Sequence, residues 1–151
     1  MFTRRRLLGA AASLPIFGLM GRPAFATPEV YSDGGLALGG ADPVAYFAQG
    51  QMVQGSGEYT LMWRGTTWRF ATMDARSTFE MNPGAYAPQF GGYCAYALSQ
   101  GALAPTVPEA WTVFEGKLYM TYSVDVRGLW RQDIPGNLAK AEPYWPAITR
   151  S

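Results

Sequence analysis

Apolar and polar residues alternate with a period of two at two places in this chain, and each alternation breaks at a glycine-containing turn. Tyr59, Leu61 and Trp63 share one face of a strand, Trp68 and Phe70 share one face of the next, and Arg64-Gly65-Thr66-Thr67 joins them. The pattern returns at Trp111-Thr112-Val113-Phe114, Glu115-Gly116-Lys117 and Leu118-Tyr119-Met120-Thr121-Tyr122. Two hairpins of this kind predict four strands in one antiparallel sheet.

Between and after the hairpins the period lengthens to that of a helix. Thr72 is placed to cap a helix with Asp74 in its first turn, an Ala75/Phe79 apolar pair and an Arg76/Glu80 ion pair, until Asn82-Pro83 stops it. Phe90, Tyr93, Cys94, Ala97 and Leu98 form an amphipathic stripe that ends at Gly101. Ser123 is an N-cap before Val126, Leu129, Trp130 and Ile134, and Leu138, Ala141 and Trp145 continue into a C-terminal helix interrupted by Pro143 and Pro146. Upstream, Asp42 as N-cap and Pro43 at the first helical position open a short turn through Ala45-Tyr46-Phe47, preceded by an extended, glycine-rich arm over residues 27–40. The predicted fold class is α+β: a small antiparallel sheet built from two hairpins, with helices packed on one face.

The first 26 residues read as an export signal instead of structure. Arg4, Arg5 and Arg6 precede an apolar run from Leu7 to Met20 that closes on Ala24-Phe25-Ala26, a cleavage pattern. Gly9, Pro15 and Gly18 interrupt the run, which is shorter than the about 20 apolar residues a membrane-spanning helix needs. Thr3-Arg4-Arg5-Arg6-Leu7-Leu8 fits the twin-arginine pattern, with an ordinary Sec leader as the alternative. Either route places residues 27–151, a single domain, in the periplasm or otherwise outside the cytoplasm, with no stable membrane span after cleavage.

Composition then removes classes of chemistry. The leader holds Arg4, Arg5, Arg6 and Arg22 and no acid, so the mature chain is net acidic and presents no basic nucleic-acid surface. With no histidine, the Ser-His-Asp and Cys-His nucleophile systems and imidazole metal sites are excluded. A single cysteine, Cys94, excludes an internal disulfide and any C-x-x-C motif. No phosphate-binding glycine loop and no acid/base pair of specific spacing appear, so no catalytic residue is assigned.

Ala41-Asp42-Pro43-Val44-Ala45-Tyr46-Phe47, Trp68-Arg69-Phe70-Ala71, Asn82-Pro83 and Tyr86-Ala87-Pro88-Gln89-Phe90-Gly91-Gly92-Tyr93-Cys94-Ala95-Tyr96 together resemble the exported YHS-domain proteins. The likeness runs on through Glu109-Ala110-Trp111, Gly116-Lys117-Leu118-Tyr119 and Asp133-Ile134-Pro135-Gly136. The resemblance implies an association with heavy metals, copper above all. Metal-binding relatives carry cysteine at the end of the second strand and again four residues later; Ala71 and Ala75 stand there in this chain, where plain core is expected.

Cys94 is therefore the one candidate metal ligand, and two readings are open for it. It is a small buried hydrophobe on the apolar stripe, or Gly91-Gly92 opens the helix and Cys94 lies in its first turn, where the positive end of the helix dipole favours the thiolate that binds soft metals. Met52, Met62, Met73, Met81 and Met120 are the other soft donors, and a Cys/Met pair suits Cu(I) better than zinc. The expected function is a small extracytoplasmic protein that binds or handles a soft metal such as copper. The alternative is a module for a small organic ligand or partner protein, using a surface lined by Tyr46, Tyr86, Tyr93, Tyr96, Trp63 and Trp111. A thiol redox role is disfavoured because neither a base nor a resolving cysteine accompanies Cys94.

Overall fold

The structure, a computed structural model, describes residues 27–149. The expected leader lies outside the described residues. Along the chain run β1 (Ser32–Asp33), β2 (Leu36–Ala37), α1 (Ala45–Ala48), β3 (Ser56–Trp63), β4 (Thr66–Phe70), α2 (Met73–Met81), α3 (Pro83–Tyr86), α4 (Ala95–Ser99), β5 (Trp111–Phe114), β6 (Lys117–Met120), α5 (Val124–Arg131), α6 (Ile134–Ala141) and α7 (Tyr144–Thr149). The class is α+β, as the alternating periods predict.

Both hairpins form where the alternation places them. Their turns share one geometry: Arg64 and Gly65 have φ of 49° and 73°, and Glu115 and Gly116 have 49° and 74°. Two successive left-handed residues twist the chain in the hand the strands require, and glycine at the second takes that conformation without steric cost.

The hairpins do not join into one antiparallel sheet. β3–β4 belongs to a four-stranded sheet of order β1-β2-β4-β3, whereas β5–β6 stands as a separate two-stranded ribbon. The reason lies in the segment expected to be an arm. Residues 32–37 form a small hairpin of their own, and Leu36 pairs in parallel with Thr67, occupying the edge of β4 that the second hairpin would have used. The ribbon's free side is bridged instead by Cys94, which pairs in parallel with Met120.

Helices cover more than one face. Phe79, fully buried on α2, meets Trp68 at 5.0 Å, Phe70 at 5.2 Å and Trp63 at 5.6 Å between ring centroids, fixing that helix on the four-stranded sheet. Such ring pairs contribute about 0.5–1.5 kcal/mol each beyond their buried area. On β6, Leu118 and Met120 enter this core, while Tyr119 points the other way and packs on Trp130 of α5 at 5.1 Å. That strand is buried on both sides, which is why its residues 118–120 are apolar without a break.

Caps set the starts of α2 and α5 as the sequence predicts. Thr72 Oγ1 accepts the Ala75 N–H at 3.1 Å, Arg76 pairs with Glu80 at 3.0 Å, and Ser123 Oγ accepts the Val126 N–H at 3.1 Å. The Val126–Ile134 periodicity spans two helices, because Asp133 Oδ1 accepts the Gly136 N–H at 3.0 Å and starts α6 afresh.

Candidate functional site

The predicted helix through Phe90 and Cys94 is the main correction. Phe90 and Gly91 have φ of 55° and 62°, so residues 89–92 form a tight 3-10 turn with left-handed backbone inside it and cannot open a helix. α4 starts only at Ala95, and Cys94 is its N-cap instead of a first-turn residue. Gly91 is forced into this shape by its neighbours: a Cβ there would collide with the Glu29 carbonyl oxygen and come within 2.9 Å of Trp145. Its own carbonyl accepts the Tyr31 N–H at 2.8 Å, so the N-terminal strand region and the turn are laced together.

Cys94 is 1% exposed. Its Sγ accepts the backbone N–H of Ala97 at 3.4 Å and of Tyr122 at 3.3 Å, tying the start of α4 to the end of β6. Met120 is its bridge partner and is also fully buried, whereas Met62, Met73 and Met81 lie exposed on the surface. Among the described residues, no three Cys, Asp or Glu side chains are grouped to hold a metal ion.

Asp42 and Pro43 do not start α1 as expected: the helix begins at Ala45 with Val44 at its N-cap position and no side-chain cap, and Asp42 serves the turn before it. The carboxylate is buried; Oδ1 accepts the Val44 N–H at 2.8 Å and Oδ2 the Ala71 N–H at 2.9 Å, joining the entry of α1 to the end of β4. Ala71 and Ala75 are not plain core. They are half-buried and line a shallow depression of about 240 Å³ together with Asp42, Gln49 and Asp74.

A cleft of about 240 Å³ opens on the other side of the four-stranded sheet's hairpin end, and aromatic rings dominate it. Trp63 at the end of β3 and Trp68 on β4 supply one wall, Phe90 and Gly91 of the 3-10 turn another, and Trp145 of α7 closes it. Trp145 reaches Phe90 and Tyr93 at 6.1 and 5.9 Å between ring centroids. Among the described lining residues Arg64 is the single charge. Its guanidinium lies 4.4 Å from the Trp63 ring centroid and pairs with Glu29 at 2.9 Å. Both partners are half exposed, so this pair is worth about 0.2–1 kcal/mol and is readily exchanged.

Of the aromatic set named from the sequence, only Trp63 lies in the cleft. Tyr46 is buried against Trp111 at 5.3 Å with its hydroxyl donating to the Pro108 carbonyl at 2.8 Å, Tyr86 packs edge-on to Phe47, and the Tyr93 hydroxyl donates to the Pro28 carbonyl. Tyr96 packs on the second core, around Trp130. Trp68, Phe90 and Trp145 were missed because they lie far apart in the chain; alternation marks Trp68 as inward-facing but carries no sign of an opening beside it. These features define a small α+β domain with a formed aromatic cleft and one sealed thiol. Compared with family models, with curated proteins and with solved structures, the chain matches none.

Proposed function

We propose that this protein is a small binding module of the YHS type, exported by its leader, whose aromatic cleft holds a small organic ligand. The observation that carries the reading is the convergence of Trp63, Trp68, Phe90 and Trp145 around one opening beside a single cation. Binding sites are commonly concave and combine apolar groups with a few placed polar ones, and here four aromatic side chains line a concave surface that is polar elsewhere. Among the described lining residues none is a nucleophile and no acid/base pair is present, and binding is the activity their chemistry supports. The test is a thermal-shift screen of one- and two-ring compounds, since a ligand that binds only the folded state raises the midpoint. Hits are expected with the wild-type protein and are expected to vanish in Trp145→Ala; hits unaffected by that change would place the ligand elsewhere.

A second reading, copper binding, has one observation in its favour. The bridge between Cys94 and Met120 brings two soft sulfur donors to neighbouring backbone positions, a pairing suited to Cu(I). Elemental analysis of protein recovered folded, wild type beside Cys94→Ser, tests it: copper must be present in the first and lost in the second.

A further inference from the structure

The cleft has a feature that narrows the ligand, resting on the binding reading above. Arg64 stands at its rim with the guanidinium over the face of Trp63, and that position is the one a ligand cation would take against an aromatic ring. The chain's own cation fills it, so a quaternary ammonium ligand would meet like charge. A carboxylate meets the opposite. Glu29 already shows how one sits there, with Oε1 at 2.9 Å from Arg64 Nη1, and no other acidic partner engages the guanidinium among the described residues. The guanidinium fork matches a carboxylate through two parallel N–H donors, so an incoming carboxylate can replace Glu29 without loss of hydrogen bonds.

Size narrows it again. At about 240 Å³ the cleft is smaller than the roughly 300–1,000 Å³ typical of sites for drug-sized ligands. That volume suits a single ring. The Trp68 indole N–H donates to the Trp63 carbonyl at 3.0 Å, and Trp68 itself is buried, so it backs the cleft and leaves Trp63, Phe90 and Trp145 as its part-exposed rings.

We infer that the cleft binds a single-ring aromatic carboxylate, with its ring in the aromatic-lined cleft and its carboxylate on Arg64 in place of Glu29.

The experiment titrates the full chain by calorimetry and tryptophan fluorescence with benzoate, benzyl alcohol and phenyltrimethylammonium. Benzoate is expected to bind at least about tenfold tighter than benzyl alcohol, as a charge-assisted hydrogen bond implies. Arg64→Gln should erase that difference while leaving benzyl alcohol binding in place, and Glu29→Gln, which frees the guanidinium, should tighten benzoate about threefold. Equal binding of benzoate and benzyl alcohol, indifferent to Arg64→Gln, would overturn the carboxylate assignment and leave the aromatic cleft standing. Preference for phenyltrimethylammonium would also overturn it. Binding of none of the three, with no compound hitting in the thermal-shift screen, would overturn the cleft reading itself.

Discussion

Asp42 Oδ2 accepts the backbone N–H of Ala71 at 2.9 Å, across a separation of 29 residues, while its other oxygen holds the Val44 N–H. The carboxylate and the Val44 N–H are buried, while the Ala71 N–H is part-buried. Loop and sheet are joined at this point by one carboxylate.

Asp42→Ala is expected to destabilise the protein by about 2 kcal/mol, because one buried and one part-buried donor lose their acceptor at once. Asp42→Asn should recover little, since its amide NH₂ would face one of the two N–H groups. Urea unfolding midpoints of the three proteins measure this. An unchanged midpoint in Asp42→Ala would remove the carboxylate from the supports of the fold.

Cys94 is expected to resist a thiol reagent in the folded protein and to react once denaturant opens the core, as its burial requires. Cys94→Ala, which deletes the acceptor for the Ala97 and Tyr122 N–H groups, should cost about 1–3 kcal/mol. Cys94→Ser keeps an acceptor and should cost less. Fast labelling without denaturant would show that the thiol is open to solvent.

Gly91→Ala should be among the most damaging small substitutions in the chain. The added methyl meets the Glu29 carbonyl and crowds Trp145, and the left-handed backbone is strained for alanine as well. Overpacking of this kind costs about 1–3 kcal/mol before the backbone penalty is counted. Trp145 is expected to be displaced, so loss of ligand binding should accompany the fall in melting temperature.

Stability is expected to decline above about pH 10. Burial first, then the charges of Glu109 and Asp42, push the Tyr46 hydroxyl above its ordinary range. The folded chain therefore keeps a proton that the unfolded chain releases, and the associated stability is complete below the unfolded value and is lost as pH rises beyond it. Tyr46→Phe should reduce this alkaline slope. At neutral pH it should cost about 1 kcal/mol through the missing donor to Pro108. Unfolding free energy followed from pH 7 upward, wild type beside variant, checks both.

Export by the twin-arginine route, as proposed, would depend on Arg4 and Arg5. Replacing both by lysine should strand precursor in the cytoplasm, read by fractionation; normal export of that variant would leave a Sec leader as the explanation.

The sequence by itself determined the local elements. Period-two alternation with Arg64-Gly65 and Glu115-Gly116 places both hairpins, and Thr72 and Ser123 start α2 and α5, because turn and cap geometry depend on residues adjacent in the chain. The spacing of Phe90, Tyr93 and Cys94 misled in the same local terms: it is helical in number, yet Phe90 and Gly91 are left-handed and Gly91 packs so closely on Glu29 and Trp145, each more than 50 positions away, that no side chain fits there, and contacts of that range leave no periodic trace. Only the tertiary structure decided that Leu36 would take the edge of β4 and keep the hairpins in separate sheets, since edge pairing is a competition between distant strands with the same backbone donors and acceptors. It alone decided the cleft too. Trp63 belongs to the aromatic surface expected from the sequence, but Phe90 and Trp145 read as positions on helical stripes, and what makes the three a site is the space beside them, a property of packing that no single segment encodes.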